Sequence, residues 1–92
     1  EMMGDLERAA SNYQAALERW QELENPGPWA NTLNSLGVIY YLQGRYEESA
    51  HMLDEALSKS RTAGDPRVEA LVWASLGDLH RDQGTYERAR QS

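Results

Sequence analysis

The chain contains no cysteine, which excludes disulfides, thiolate metal sites and cysteine nucleophiles together. That suits a reducing compartment and makes the cytoplasm the expected location. Phenylalanine is also absent, so the aromatic content rests on five Tyr and three Trp. No apolar run approaches the ~20 residues that a membrane helix needs, and no signal-peptide pattern opens the chain, so no membrane partner is expected. Basic residues are scarce, nine against fifteen acidic, for a net charge of −6. They are spread along the chain, whereas a nucleic-acid surface needs a concentrated basic face, so no direct nucleic-acid partner is expected.

Catalytic signatures are missing as well. No Gly-rich phosphate loop, nucleophile elbow or paired-His helix occurs. Ser11, Ser35, Ser58 and Ser75 have no evident base beside them. In "GDLHRDQG", Asp78 and Asp82 are four apart and share a helix face, while His80 lies two residues from each and points elsewhere. That spacing disfavours a mononuclear metal site, and His80 is expected to pack. His51 and Glu55 read as a solvated surface pair. The expectation is a non-enzyme with no cofactor and no metal.

What the chain does have is a repeat. Shifted by forty residues, Gly4, Gly44 and Gly84 align, as do Glu7, Glu47 and Glu87. The small residues Ala9, Ser49 and Ala89 coincide too. Ala16 meets Ala56, Leu17 meets Leu57, Pro26 meets Pro66 and Ala30 meets Ala70. Ser35-Leu36-Gly37 falls on Ser75-Leu76-Gly77. So many identities at one offset mark a repeat architecture.

Each unit reads as two helices. Asn25-Pro26 and Asp65-Pro66 supply an N-cap side chain followed by proline at the first helical position. Ala30, Leu33, Leu36, Gly37 and Tyr40 then recur at helical spacing, as do Ala70, Trp73, Leu76, Gly77 and His80. Gly44 and Gly84 stand where a left-handed C-cap favours glycine. A second helix follows from Tyr46 with Ala50, Leu53, Ala56 and Leu57 on one stripe, ending at Gly64. Residues 1–24 are expected to be the second helix of a truncated repeat, 25–64 a complete repeat, and 65–92 a repeat truncated in its second helix. The chain thus reads as part of a longer protein.

The spacings Leu33-x-x-Leu36-Gly37-x-x-Tyr40 and Trp73-x-x-Leu76-Gly77-x-x-His80 resemble the first helix of a tetratricopeptide repeat. Ser49-x-x-x-Leu53-x-x-Ala56 and Ala9-x-x-x-Tyr13-x-x-Ala16 resemble its second helix, so the likeness spans essentially the whole chain. Two features depart from the family pattern. The period is forty rather than the usual thirty-four, and Gln21 and Arg61 stand where a proline normally closes the unit. The longer variety is similar to repeats of kinesin light chains, cell-polarity adaptors and maltose-activator-type bacterial regulators. The resemblance implies an all-α fold of antiparallel helical hairpins stacked as an α-α superhelix. Gly37 and Gly77 are then expected at helix crossings, opposite Ser49 and Ala89, with Trp73 in the core.

The resemblance further implies a protein–protein interaction scaffold that binds a peptide or a partner helix in a concave groove. In this register the wall carries Asn31, Asn34, Val38 and Tyr41, then Leu71, Ala74, Asp78 and Arg81. Asn34 sits where kinesin-light-chain-like relatives carry a clamp for peptide backbone, since an amide pairs with both N–H and C=O. A carboxylate clamp would need several cations here, and only Arg81 is present, flanked by Asp78 and Asp82. The alternative is a ligand-sensing or oligomerisation segment of a bacterial multidomain transcription regulator. Apolar faces at Leu6, Tyr13, Leu17 and around Tyr86 are expected to be exposed, giving end-to-end self-association.

Overall fold

Three left-handed backbone positions divide the chain into four helices: α1 (Met2–Leu23), α2 (Pro26–Leu42), α3 (Tyr46–Ala63) and α4 (Pro66–Gln91). The computed structural model describes the backbone of residues 2–91 and the side chains of residues 4–84. Helices are the sole regular elements among these residues, so the all-α expectation holds.

The turns share one hydrogen-bond plan. After α1, Glu24 N–H donates to Gln21 O at 3.2 Å and Asn25 N–H to Trp20 O at 3.2 Å. Forty residues later, Gly64 N–H donates to Arg61 O and Asp65 N–H to Ser60 O, both at 3.1 Å. Between them, Gly44 N–H reaches Tyr41 O at 3.0 Å and Arg45 N–H reaches Tyr40 O at 2.8 Å. Each pair satisfies carbonyls that the ending helix would otherwise leave bare. The residue at the pivot has φ 50° at Glu24, 77° at Gly44 and 66° at Gly64. Only glycine adopts that region without a Cβ penalty, so Glu24 is a strained substitute.

The two predicted N-caps behave differently. Asp65 Oδ1 accepts from Arg67 N–H at 3.1 Å and from Val68 N–H at 3.3 Å. Asn25 makes no such bond. The third helical position after Asn25 is Pro28, which has no N–H to donate, so the counterpart of the Val68 bond cannot form there.

The core is built on α2, which packs against all three other helices. Its predicted stripe of Ala30, Leu33, Leu36, Gly37 and Tyr40 is buried throughout, and Ile39 and Thr32 are buried with it. Leu53 and Ala56 enter from α3, Leu17 from α1, and Val72, Leu76 and Leu79 from α4. Where α2 meets α3, Ser49 Oγ–H donates to Gly37 O at 2.6 Å. A Cβ built on Gly37 would lie 2.6 Å from Leu53 Cδ2. The crossing glycine is therefore required by packing.

Several expectations fail in α4. The helix does not end at Gln83 with Gly84 as its cap but runs through Gly84 to Gln91. Trp73, expected in the core, is 51% exposed, and Ala70, Gly77 and His80 are exposed too. A Cβ on Gly77 would meet nothing within 4 Å. The cause is one-sided packing: among the described residues α4 touches only α3 and α2. It buries the stripe Val72, Leu76 and Leu79 instead, with Val68 packed beside it. Trp73, one residue on, is rotated about 100° away from that stripe. The Gly44 turn is held by the packing of α3 on α2, and nothing comparable packs on Gly77. Leu17 is also corrected, because α1 lies on α2 and buries it to 8% exposure. Leu6 is half-buried and Tyr13 exposed, while Ala89 and Tyr86 lie outside the described side chains.

Two glycines of one motif should thus respond oppositely to substitution. Gly37→Ala is expected to lose about 1–3 kcal/mol through the clash with Leu53. Gly77→Ala is expected to gain about 1 kcal/mol in dilute solution from helix propensity alone. Urea unfolding of the two variants measures both, and equal effects would refute the assignment. Separately, Glu24→Gly should raise stability by about 0.5–1 kcal/mol, because relief of the left-handed strain outweighs the added unfolded-state entropy. A lower thermal midpoint would contradict that reading.

Candidate functional site

A cleft of about 60 Å³ opens where α2, α3 and α4 meet. Val38 and Tyr41 line it from α2, Leu53 from α3, and Ser75 and Asp78 from α4. Its walls are mostly hydrocarbon, and one carboxylate stands among them.

Tyr41 ties the three helices together. Its ring lies 6.1 Å from that of Tyr46 at the start of α3. Its hydroxyl donates to Asp82 Oδ2 on α4. That bond, then partial burial, then the Asp82 charge, raise the Tyr41 pKa above its usual 10.0. Arg81 closes the cluster, with Nη2 at 3.1 Å from Asp78 Oδ1 and Nε at 3.6 Å from Asp82 Oδ1. Its guanidinium is engaged by the two acids that flank it, which fits poorly with a cationic clamp for a ligand carboxylate.

Of the eight groove residues named from the sequence, Val38, Tyr41 and Asp78 come together around this cleft. Arg81 joins them through Asp78. Asn31, Leu71 and Ala74 are exposed, with Leu71 at 54%. Asn34 is half-buried, and its Oδ1 is covered without a hydrogen-bond partner. A backbone clamp needs that oxygen as an acceptor, so Asn34 must turn about its side chain before it can hold a peptide N–H. Ser75, Leu53 and Asp82 were not among the residues named. The first and last were accessible to helical arithmetic, since they lie three before and four after Asp78 on one face. Leu53 was not, because it comes from another helix.

Two further rings, those of Trp29 and Tyr40, are packed and each carries a cation over its face. Trp29 packs against the core with the Lys59 ammonium 3.9 Å from its ring centroid. The Arg45 guanidinium lies 4.4 Å over Tyr40 and is paired with Glu48, which lowers the Glu48 pKa. His51 and Glu55 form an exposed pair at 3.0 Å. No helix among the described residues is long and apolar enough to cross a membrane.

The model of the tetratricopeptide repeat family matches residues 1–62 and again 30–92. The chain belongs to the tetratricopeptide-repeat family. Neither a curated protein nor a solved structure matches it significantly. Tetratricopeptide repeats generally mediate protein–protein interaction and are typically non-enzymatic scaffolds. Beside the cleft, the Tyr41–Asp82 bond links α2 to α4.

Because the folded state favours protonated Tyr41, this bond contributes stability in full below about pH 10, the unfolded value, and loses it as pH rises through the higher folded value. Asp82→Asn should move the Tyr41 titration, followed by ring-carbon NMR, down toward 10.0. An unmoved titration would show that Asp82 is not the cause.

Proposed function

We propose that the chain is a scaffold that receives an extended peptide or partner helix in the groove formed by α2 and α4. The wall comprises Asn31, Asn34, Val38 and Tyr41 of α2, with Leu71, Ala74, Asp78 and Arg81 of α4. The reading is carried by the cleft between Val38, Tyr41, Leu53, Ser75 and Asp78, which offers a small apolar side chain a seat where two repeats meet. Asp78 at its edge and the net charge of −6 favour a ligand that carries a basic residue beside the apolar one. The cytoplasm is part of the proposal, since a cysteine-free chain suits a reducing compartment.

Asn34 is the expected specificity element. An unsatisfied buried acceptor costs about 1–3 kcal/mol, so a ligand donor that engages the amide recovers energy the free protein forgoes. Tyr41 is a poor choice for a binding test because it also holds α4. Asn34→Ala and Ala74→Glu alter the wall without touching the core. Peptides selected from a random library on the wild-type chain, measured by fluorescence anisotropy, should bind each variant about tenfold more weakly. Their NMR shift changes should centre on Val38, Tyr41 and Asp78. Unchanged affinity in both variants, with shifts on another face, would overturn the groove assignment.

A further inference from the structure

Within the α2–α3 hairpin, a trough of about 360 Å³ lies open on the surface. Tyr40 and Met52, the two less exposed of its residues, form the floor, and the exposed Glu47, Glu48 and His51 form the rim. It shares no residue with the cleft of Val38, Tyr41, Leu53, Ser75 and Asp78. Both of its helices are interior to the chain, so its walls do not depend on α1 or α4. The floor is held from behind. Tyr40 is 8% exposed, and its hydroxyl accepts from Gln14 Nε2 at 2.9 Å. Met52 packs on the core beside it.

One cation already shows what this floor accepts. The Arg45 guanidinium carbon lies 4.4 Å from the Tyr40 ring centroid, with Nε 2.8 Å from Glu48 Oε1 and Nη2 paired with Oε2. A planar guanidinium thus stacks on the ring while a neighbouring carboxylate holds it at two points. Glu47 offers the same group, yet its carboxylate makes no ion pair or hydrogen bond among the described residues. The repeat itself does not demand this combination. Forty residues away in either direction, Arg8 and Arg88 stand at the place of Glu48, and Asn12 and Ser92 at that of Met52. Two acids over an apolar floor belong to this hairpin alone.

We propose that the trough is a second docking point, which takes an arginine side chain displayed by a partner protein. The methylene stem lies along Tyr40 and Met52, and the guanidinium pairs with Glu47 as that of Arg45 pairs with Glu48. The charge balance selects the occupant: Arg45 offsets Glu48, Glu47 stays unmatched, and the net charge of −6 draws a basic partner. Arginine is preferred to lysine because its planar head is weakly hydrated and meets a carboxylate at two points, whereas an ammonium holds its water. The volume falls within the roughly 300–1,000 Å³ of small-ligand sites. The pairing takes place at the surface, so a single arginine binds weakly and salt weakens it further.

The test titrates hexa-arginine, hexa-lysine and hexa-citrulline peptides into the 92-residue chain, followed by NMR of the Met52 methyl and the Tyr40 ring. Both signals should shift saturably with the arginine peptide, less with the lysine peptide and not with citrulline, which keeps the planar head without its charge. Glu47→Gln should weaken arginine binding about fivefold. Glu18→Gln removes the same charge from an exposed position on α1 outside the trough and should leave the affinity unchanged. Asn34→Ala, on the wall of the α2–α4 groove, should also leave it unchanged, so failure of the trough and failure of the groove are told apart. Equal weakening by Glu47→Gln and Glu18→Gln, the mark of net charge alone, overturns the proposal. So does a lysine or citrulline peptide that binds as tightly as arginine, or shifts centred on Asp78 and Asp82 with Met52 unmoved.

Discussion

The close approach of α2 and α3 at Gly37 is the contact on which the rest of the fold depends. The absence of one side-chain carbon lets Leu53 sit against the α2 backbone and brings the Ser49 hydroxyl within 2.6 Å of Gly37 O. Leu33, Leu36, Leu53 and Ala56 are then sealed at 1% exposure or less. The hydroxyl satisfies a polar group at the crossing, so the helices meet without an unpaired acceptor between them. With that crossing set, α2 is enclosed, α1 lies on its other side, and α4 is laid against the hairpin.

The turns act with the crossing to give the chain its direction. A left-handed residue followed by two reverse hydrogen bonds ends α1, α2 and α3 in the same way. Because the pivots fall at Glu24, Gly44 and Gly64, each helix is followed by one running the opposite way. A glycine alone is not sufficient, and Gly84 shows it: α4 passes through that position without turning. The conformation of glycine is permissive rather than directive, and a turn forms where the helix beyond it gains burial by folding back.

The candidate site is a by-product of this stacking. Tyr41 of α2 sets its ring toward Tyr46 of α3 and its hydroxyl on Asp82 of α4, and the cleft is the space left beside these contacts. Residues of α2, α3 and α4 all border it. Arg81, held between Asp78 and Asp82, offsets one of their two charges and leaves the cluster acidic by the other.

The repeat and the ends of α2 and α3 were legible because they follow from local spacing, whereas the expected end of α4 at Gly84 was not met. Asp65-Pro66 caps, Gly44 and Gly64 turns, and the stripe Ala30, Leu33, Leu36, Gly37 and Tyr40 depend on residues near one another in the chain. Periodicity shows that a helix has an apolar face but not which neighbour covers it. For that reason Trp73 and His80 read as core and emerged exposed, while Ile39, Val72 and Leu79 were passed over and emerged buried. Val38, Tyr41 and Asp78 were readable as candidates, yet their union with Leu53 and Ser75 came only from three helices meeting. The sequence by itself determined the hairpins, since hydrogen bonds and caps act over a few residues. Tertiary structure alone decided which faces are filled and which stay open, because burial depends on what another helix brings to the same place.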